Sequence, residues 1–201
     1  MGEYIIPCFR NLVDSFGLLP GVGERTAQKF AYFLVSMSEN DVAAFARALL
    51  EAKTSLRLCS VCKNFTESTV CSICTDEKRD NRRICVVEYP EDVVTIEKHT
   101  NSNFLYHVLH GAISPLDGKY PNNIYVNDLL LRLNKNKKIT EVILATSSTV
   151  AGETTAIYMK NLITSPGIKV TRLACGIPTG TSLGYVDEVT LKSAIINRIE
   201  I

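Results

Sequence analysis

The chain has 201 residues, of which 46% are hydrophobic, and its formal net charge is +1. This length suits one ordinary domain or two small ones, and the near-neutral charge requires any contact with nucleic acid to come from local basic clusters. Because no apolar run approaches the roughly 20 residues that cross a bilayer, and residues 1–11 lack the pattern of a signal peptide, we expect a cytoplasmic protein with no membrane partner.

Helices are predicted for residues 1–57. Apolar side chains spaced three to four residues apart give the first helix one apolar face: Ile5, Phe9, Leu12, Val13, Phe16 and Leu19. A second helix is predicted after Gly23, with inward side chains at Ala27, Phe30, Ala31 and Leu34. Ser38 followed by Asp41 has the spacing of a capping box and predicts a third helix that ends near Leu56.

Beyond a polar stretch at 58–83, strands alternate with helices. Strands are predicted at 84–88, 141–145 and 169–173, and helices at 90–98, 124–133, 152–162 and 191–197. This alternation is typical of a parallel α/β sheet. Residues 100–123 are predicted to be a loop. They hold His107 and His110, for which we expect hydrogen bonds in a loop or interface, since no cysteine or second carboxylate is spaced to join them.

Four of the seven cysteines form two pairs. Cys59 and Cys62 are separated by two residues, as are Cys71 and Cys74, and eight residues lie between the pairs. This spacing lets four thiolates surround one Zn²⁺ tetrahedrally, and a fully ligated zinc is structural because no position is left for a reactive water. Reduced buried thiols or two disulfides are the alternative, but a reducing compartment and the paired spacing favour zinc.

A glycine corner precedes the second predicted helix. The sequence LPGVGERTAQK places Gly21 and Gly23 around a tight turn and leaves the amides of the following helix start available to an anion. Arg25 and Lys29 share one face with that opening. This resembles a helix-hairpin-helix element, which grips a DNA phosphate without reading sequence, although a corner of the core would show the same pattern.

Further basic residues surround the cysteines, and they are candidates for additional DNA contacts. They are Lys63, Lys78, Arg79, Arg82 and Arg83, with an ordinary solvated surface as the alternative.

The strand ICVVE, which ends at Glu88, resembles the opening of a Toprim domain, the fold shared by topoisomerases and primases. Active members add an aspartate pair after a later strand to hold Mg²⁺. Ser147 and Thr149 occupy those positions here, and Ala151 stands where an acid is common. We therefore expect no strand cleavage or polymerisation.

The whole order of parts resembles the bacterial RecR family of recombination mediators. The matching stretches run from about Leu12 to Arg198 and include the glycine corner, the four cysteines, ICVVE, YHVLHGAISPLDG, VILATSSTVAGETTAIY and CGIPTGTSLGYVDEVTL. The resemblance implies an α+β or α/β chain: a helix-hairpin-helix region at 1–57, a zinc knuckle at 58–83, a Toprim-like parallel sheet with flanking helices at 84–176, and a tail for subunit association at 177–201.

The resemblance also implies a function. Family members are non-enzymatic DNA-binding proteins that form rings, usually tetramers, and act with RecO and RecF so that RecA replaces single-strand binding protein at gaps. By position, Gly21, Gly23, Arg25 and Lys29 correspond to the DNA-binding hairpin. Glu88 corresponds to a position linked to RecO. Ring size, with a dimer as alternative, and the preferred form of DNA stay open.

The tail and the cysteine motif carry two further implications of the resemblance. Cys59, Cys62, Cys71 and Cys74 correspond to the family's zinc ligands. Asp187 and Glu188 fall in a segment likened to a Walker B strand, but the chain has no phosphate-binding GxxxxGK[ST] loop, so we interpret them as acids that start a helix.

The chain departs from the family pattern on its Toprim face. The family usually has asparagine-proline at Ser147-Ser148, glutamate at Ala151, arginine at Cys175 and an acid at Gly184. We expect these differences to alter the contact with RecO or RecF.

Two other functions remain open at this point. A Mg²⁺-dependent Toprim-type nuclease or primase accessory enzyme would use Glu88, Asp92 and Glu153. A scaffold that binds only proteins would be consistent with the near-neutral charge and with Glu24 inside the glycine corner.

Overall fold

The computed structural model describes residues 6–163, 167–174 and 176–198, so the predictions made for Ile5 and Cys175 lie outside the described residues. The chain divides into two compact units, Met1–Leu56 and Arg57–Ile201, each considered by itself below. No helix among the described residues combines the length and apolar character needed to span a membrane.

The first unit is helical, as predicted. It contains α1 (Pro7–Gly17), α2 (Glu24–Ser36) and α3 (Glu39–Ser55). Ala27 and Ala31 form the buried face of α2. The prediction that Phe30 points inward is wrong, because its side chain stays 41% exposed and its ring meets the Phe16 ring edge-on, with 5.5 Å between the ring centroids.

The start of α3 confirms the predicted cap. The Asp41 amide donates to Ser38 Oγ at 3.2 Å, and the Ser38 hydroxyl donates to Asp41 Oδ2 at 2.6 Å. These bonds satisfy one of the amides that the first turn of a helix leaves free.

The second unit opens with a small hairpin and continues as an α/β fold. Its elements in chain order are β1 (Arg57–Leu58), β2 (Phe65–Thr66), α4 (Ser72–Thr75), β3 (Asp80–Val87), α5 (Pro90–His99), β4 (Phe104–Val108), α6 (Val126–Lys135), β5 (Glu141–Ala145), α7 (Val150–Leu162), β6 (Lys169–Arg172) and α8 (Glu188–Ile196). β1 and β2 pair antiparallel, whereas the four longer strands form a parallel sheet in the order β4-β3-β5-β6.

The sheet has an apolar core on each face. Alternate residues of β3 point to opposite sides, so Ile84 and Val86 join one cluster while Cys85 and Val87 join the other. The first cluster includes buried side chains from α6 and α7, and the second includes Val93 of α5. The predicted parallel α/β sheet is thereby confirmed.

β4 corrects the prediction that residues 100–123 are a loop. Within the described ranges, the outer edge of β4 has no neighbouring strand, and its backbone groups bond to other parts of the chain. Arg79 donates to the Phe104 carbonyl at 3.1 Å, and Arg132 donates to the Tyr106 carbonyl at 2.6 Å. The Val108 amide donates to the Cys62 carbonyl at 2.8 Å. The run 104–109 (FLYHVL) contains Phe, Tyr and Val, which favour strands, so a local signal for β4 is present in the sequence.

His107 lies within β4 and is fully buried, so its predicted place in a loop is wrong. Its Nε2–H donates to the Tyr125 carbonyl at 2.8 Å, and its Nδ1 has no partner among the described residues. Burial lowers the pKa of His107 from 6.5 to about 4, since the charged ring would lose its hydration.

This buried histidine predicts an acid-sensitive stability. As pH falls below the ordinary pKa of 6.5, His107 of the unfolded chain becomes protonated, whereas His107 of the folded chain stays neutral until about pH 4. Between about pH 7 and about pH 5, we expect wild type to lose roughly 2 kcal/mol more unfolding free energy than His107→Gln, whose amide can still donate to the Tyr125 carbonyl. Urea unfolding at both pH values measures this difference, and equal acid losses in the two proteins would contradict it.

Candidate functional site

The structure brings the four predicted zinc ligands together. The thiol sulfurs of Cys59, Cys62, Cys71 and Cys74 all lie within 4.8 Å of one another, and no other group of three or more histidine, cysteine or acidic side chains in the described ranges converges in this way. The first pair lies in the turn between β1 and β2, and the second brackets the start of α4. From here on, the knuckle means the segment from Cys59 to Cys74, which lies within the zinc region expected at 58–83.

Local backbone geometry turns the sulfurs inward. Lys63 follows the first pair in a left-handed conformation with φ +62°, which closes the turn, and the Cys59 amide donates to the Asn64 carbonyl at 2.8 Å. The Cys71 amide donates to the Cys59 sulfur at 3.3 Å. The Cys62 and Cys71 sulfurs are 3.5 Å apart, and this contact raises the pKa of the Cys62 thiol to about 12.

These four sulfurs match the requirements of a structural zinc. Thiols this close cannot all ionise without a cation between them, whereas Zn²⁺ accepts four thiolates in a tetrahedron. The metal supplies charge neutralisation and a cross-link, and the four protein ligands leave no coordination position for a reactive water. The knuckle is therefore an element of folding.

The knuckle is fixed to the α/β sheet by contacts around Lys63. His110 donates its Nε2–H to the Lys63 carbonyl at 2.6 Å, which confirms the hydrogen-bonding role expected of this histidine. The Lys63 ammonium lies 2.6 Å from a carboxylate oxygen of Asp128 on α6 and 5.3 Å from the centroid of the Tyr125 ring. Lys63 is therefore committed to internal contacts.

Most of the other basic candidates near the knuckle are also committed. Arg79 forms a two-pronged ion pair with Glu97, with distances of 2.9 and 2.5 Å, which raises the pKa of Arg79 and lowers that of Glu97. Arg82 and Arg83 both bind Asp80 at 3.0 Å. Of the five candidates, only Lys78 makes no ion pair within the described ranges, so this cluster offers DNA far fewer free cations than its sequence indicates.

The glycine corner lies on the surface of the helical unit. Gly21 has φ +77°, a conformation that L side chains rarely adopt, while Gly23 is extended and caps α2. The amides of Thr26 and Ala27 bond back to the Gly23 carbonyl. The amides of Glu24 and Arg25 have no partner among residues 6–163, 167–174 and 176–198, so two donors remain available at the helix start.

Arg25 and Lys29 extend from the same helix into solvent. Both are exposed, and neither forms an ion pair within the part of the chain that the structure describes. Glu24 is equally exposed beside them. The arrangement can bind a phosphate through backbone amides and two nearby cations.

The carboxyl edge of the sheet uses its acids for internal bonds. Glu88 is only 8% exposed, and its Oε1 accepts the Ser147 amide at 2.8 Å. The hydroxyls of Ser147 and Thr149 share a hydrogen bond of 2.7 Å, and Thr149 caps α7 by accepting the Gly152 amide at 3.1 Å. A Cβ added to Gly152 would lie 2.1 Å from the Ser147 carbonyl oxygen, so only glycine allows this close packing.

The two other acids that could serve a metal are engaged elsewhere. Asp92 Oδ2 accepts the Tyr89 amide at 2.8 Å at the start of α5. Glu153 forms an ion pair with Arg172, whose guanidinium also donates to the Ser147 carbonyl at 3.0 Å.

Asp187 caps α8 by accepting the Thr190 amide at 2.9 Å, which agrees with its interpretation as a helix-start acid.

Family models match four successive parts of the chain. They describe a RecR helix-hairpin-helix at residues 9–53, a RecR zinc finger domain with four cysteines at 56–76, a Toprim domain at 82–174 and a RecR C-terminal region at 176–199. The first match contains the glycine corner, and the second contains all four converging cysteines.

Curated relatives cover nearly the whole chain. A protein of Ligilactobacillus salivarius is 48% identical over 191 residues, which is 95% of this chain and 96% of the relative. One from Lactococcus lactis subsp. cremoris is 49% identical over the same shares, and one from Levilactobacillus brevis is 46% identical over 94% of this chain and 96% of its own length. Each bears the name "Recombination protein RecR".

Removing one thiol tests the role of the metal. We expect Cys62→Ser to lose bound zinc, to lose at least about 3 kcal/mol of unfolding free energy, and to lose hydrogen-exchange protection at the Val108 amide, which bonds to the Cys62 carbonyl. Elemental analysis and amide exchange measure these effects. The exposed Cys8→Ser is the matched control. Full zinc content and unchanged Val108 protection in Cys62→Ser would contradict the assignment.

Proposed function

The chain belongs to the RecR family of recombination proteins, and from that premise we propose that it is a DNA-binding mediator without catalytic activity of its own. In this proposal its subunits assemble into a ring or clamp that acts with RecO and RecF, so that RecA replaces single-strand binding protein at gaps. The observation that carries the proposal is the exposed glycine corner, where two free backbone amides lie beside two cations that have no ion pair within the described ranges.

DNA binding is assigned to Gly21, Gly23, Arg25 and Lys29. The two glycines let a sugar-phosphate chain approach the backbone, and the free amides at the start of α2 supply oriented donors. Because these amides and cations would contact phosphates and not bases, binding would not depend on the DNA sequence. The negative charge of Glu24 would repel a phosphate, so a single glycine corner should bind DNA weakly. Several such sites in an assembled ring would together bind DNA more tightly.

Exposed apolar side chains support the assembly. Helices α2 and α3 present five that are more than half exposed: Tyr32, Phe33, Val35, Leu49 and Leu50. Helix α8 adds Val189, Ile195 and Ile196. Exposed apolar side chains that lie together on one face mark interaction sites. We assign it to contacts between subunits at both ends of the chain.

The partner contact is assigned to the carboxyl edge of the sheet. Since Glu88 is nearly buried and bonds to the Ser147 amide, its part is to position the loop at Ser147–Thr149, whose outer surface would meet RecO. The same bonds support the absence of catalysis, because they occupy the acids that a Mg²⁺ site would need. Mg²⁺-dependent cleavage of gapped DNA that Glu88→Gln abolishes would overturn this part.

Charge reversal tests the DNA site. We expect Arg25→Glu combined with Lys29→Glu to weaken binding to a gapped oligonucleotide by at least about tenfold and to reduce the steepness of the log–log salt dependence by about 2, since two phosphate contacts are lost. Fluorescence anisotropy across a salt series measures both quantities.

The matched control reverses Lys98 and Lys160, which are exposed on α5 and α7 and change the net charge equally. It should bind DNA almost as wild type does, and both double variants should retain zinc. Wild-type DNA affinity in the Arg25 and Lys29 variant, or a flat salt response of the natural protein, would favour a scaffold that binds only proteins.

Assembly is tested by molar mass. We expect light scattering to report an oligomer, and Phe33→Lys to lower its molar mass, because burying an ammonium in an apolar contact is costly. Val94→Lys, on α5, is a control with the same 65% side-chain exposure. Addition of gapped DNA should leave the wild-type oligomer intact, and a wild-type monomer would contradict the ring.

A further inference from the structure

We infer that the groove between the knuckle and α6 binds a short acidic peptide segment of a partner protein, anchored by one apolar side chain. The groove has a volume of about 530 Å³, within the range that recognises small ligands. Its walls come from the knuckle on one side and α6 on the other, with the start of β3 and β4 between them.

Three aliphatic side chains line the groove. Leu131 lies on α6 but off its core face, and it remains 59% exposed while Leu129 and Leu133 are buried. Val61 of the knuckle and Leu105 of β4 are the other two. Covering this concave apolar surface with a leucine or phenylalanine would be favourable, since each buried apolar side chain contributes roughly a tenfold gain in affinity or more.

The rim of the groove is positive. Arg132 and Lys135 both line it, and the bond from Arg132 to the Tyr106 carbonyl holds the guanidinium in place while its other nitrogens have no partner within the described ranges. Lys135 also has no ion pair there. The one acid in the lining, Asp128, is neutralised by Lys63 at 2.6 Å. A ligand with carboxylates around an apolar group is complementary to this rim.

The same lining disfavours nucleic acid. It contains no aromatic side chain on which a base could stack, and stacking carries much of the affinity for single strands. A phosphate chain would also leave the leucine and valine side chains uncovered. The chemistry of the groove therefore differs from that of the glycine corner, where free backbone amides lie beside two cations.

Zinc gives this groove its shape. Ser60 and Val61 lie between two ligands, and Cys74 itself lines the groove. Between these walls, β3 is irregular from Asp80 to Ile84, where its register with β4 shifts, and Asn81 of this bulge also lines the groove. Bulges commonly re-aim side chains in this way. Peptide binding should therefore require the metal.

The probe is a short fluorescein-labelled peptide of alternating aspartate and leucine, titrated with the full zinc-loaded chain and followed by anisotropy. We expect Leu131→Asp to weaken binding by at least about tenfold and Lys135→Glu by roughly fivefold. Val94→Asp and Lys137→Glu introduce the same two residues at exposed sites outside the groove and should bind as wild type does. Peptides with asparagine for aspartate, or serine for leucine, should bind weakly.

Three outcomes would overturn the inference. They are no binding of the peptide by wild type, equal losses in Lys135→Glu and Lys137→Glu, and displacement of the peptide by an oligothymidine whose own affinity falls in Leu131→Asp. Binding of gapped DNA by Lys135→Glu should match wild type, so failure here is distinguishable from failure of the proposed DNA site. Loss of peptide binding on zinc removal, with the DNA site intact, would further support the groove.

Discussion

The attraction between four thiolates and one zinc ion is the interaction on which the knuckle and its attachment to the sheet depend. The knuckle is polar and has no core beyond its own cysteines and a few flanking side chains, so without the metal little would order it. With the metal in place, the Cys62 carbonyl meets the Val108 amide and the Lys63 carbonyl meets His110. A local coordination bond thus fixes one end of a strand that is distant in sequence.

Signals that lie within a few residues of each other were readable from the sequence. The cysteine spacing, the capping serine at 38 and the β-branched strands at 84–88 and 141–145 each express a local physical preference, and the structure contains all of them. The strand at 104–108 also has a local signal in the run FLYHVL, but its place at the sheet edge depends on distant partners, Arg79 and Arg132. The prediction that Phe30 points inward is wrong because helical periodicity indicates which face of a helix is apolar but not how far the core extends across that face.

For the charged residues too, the sequence predicts less than the fold determines. A run of arginines near the cysteines indicated a surface for DNA, yet Arg79, Arg82 and Arg83 are held by acids within the chain. The acids of the sheet edge likewise serve the backbone and Arg172 instead of a metal. The sequence shows which charges exist, but only the fold determines which of them remain available to a partner. Arg25 and Lys29 remain available because they lie on the exposed face of α2.

The covered edge of β4 has a consequence for the protein under zinc starvation. Without the metal, the Cys62 carbonyl would no longer be held against the Val108 amide, while Arg79 and Arg132 would still cover the Phe104 and Tyr106 carbonyls. An uncovered strand end can pair with a strand of another molecule, so the zinc-bound knuckle would also shield this end of β4 from intermolecular pairing.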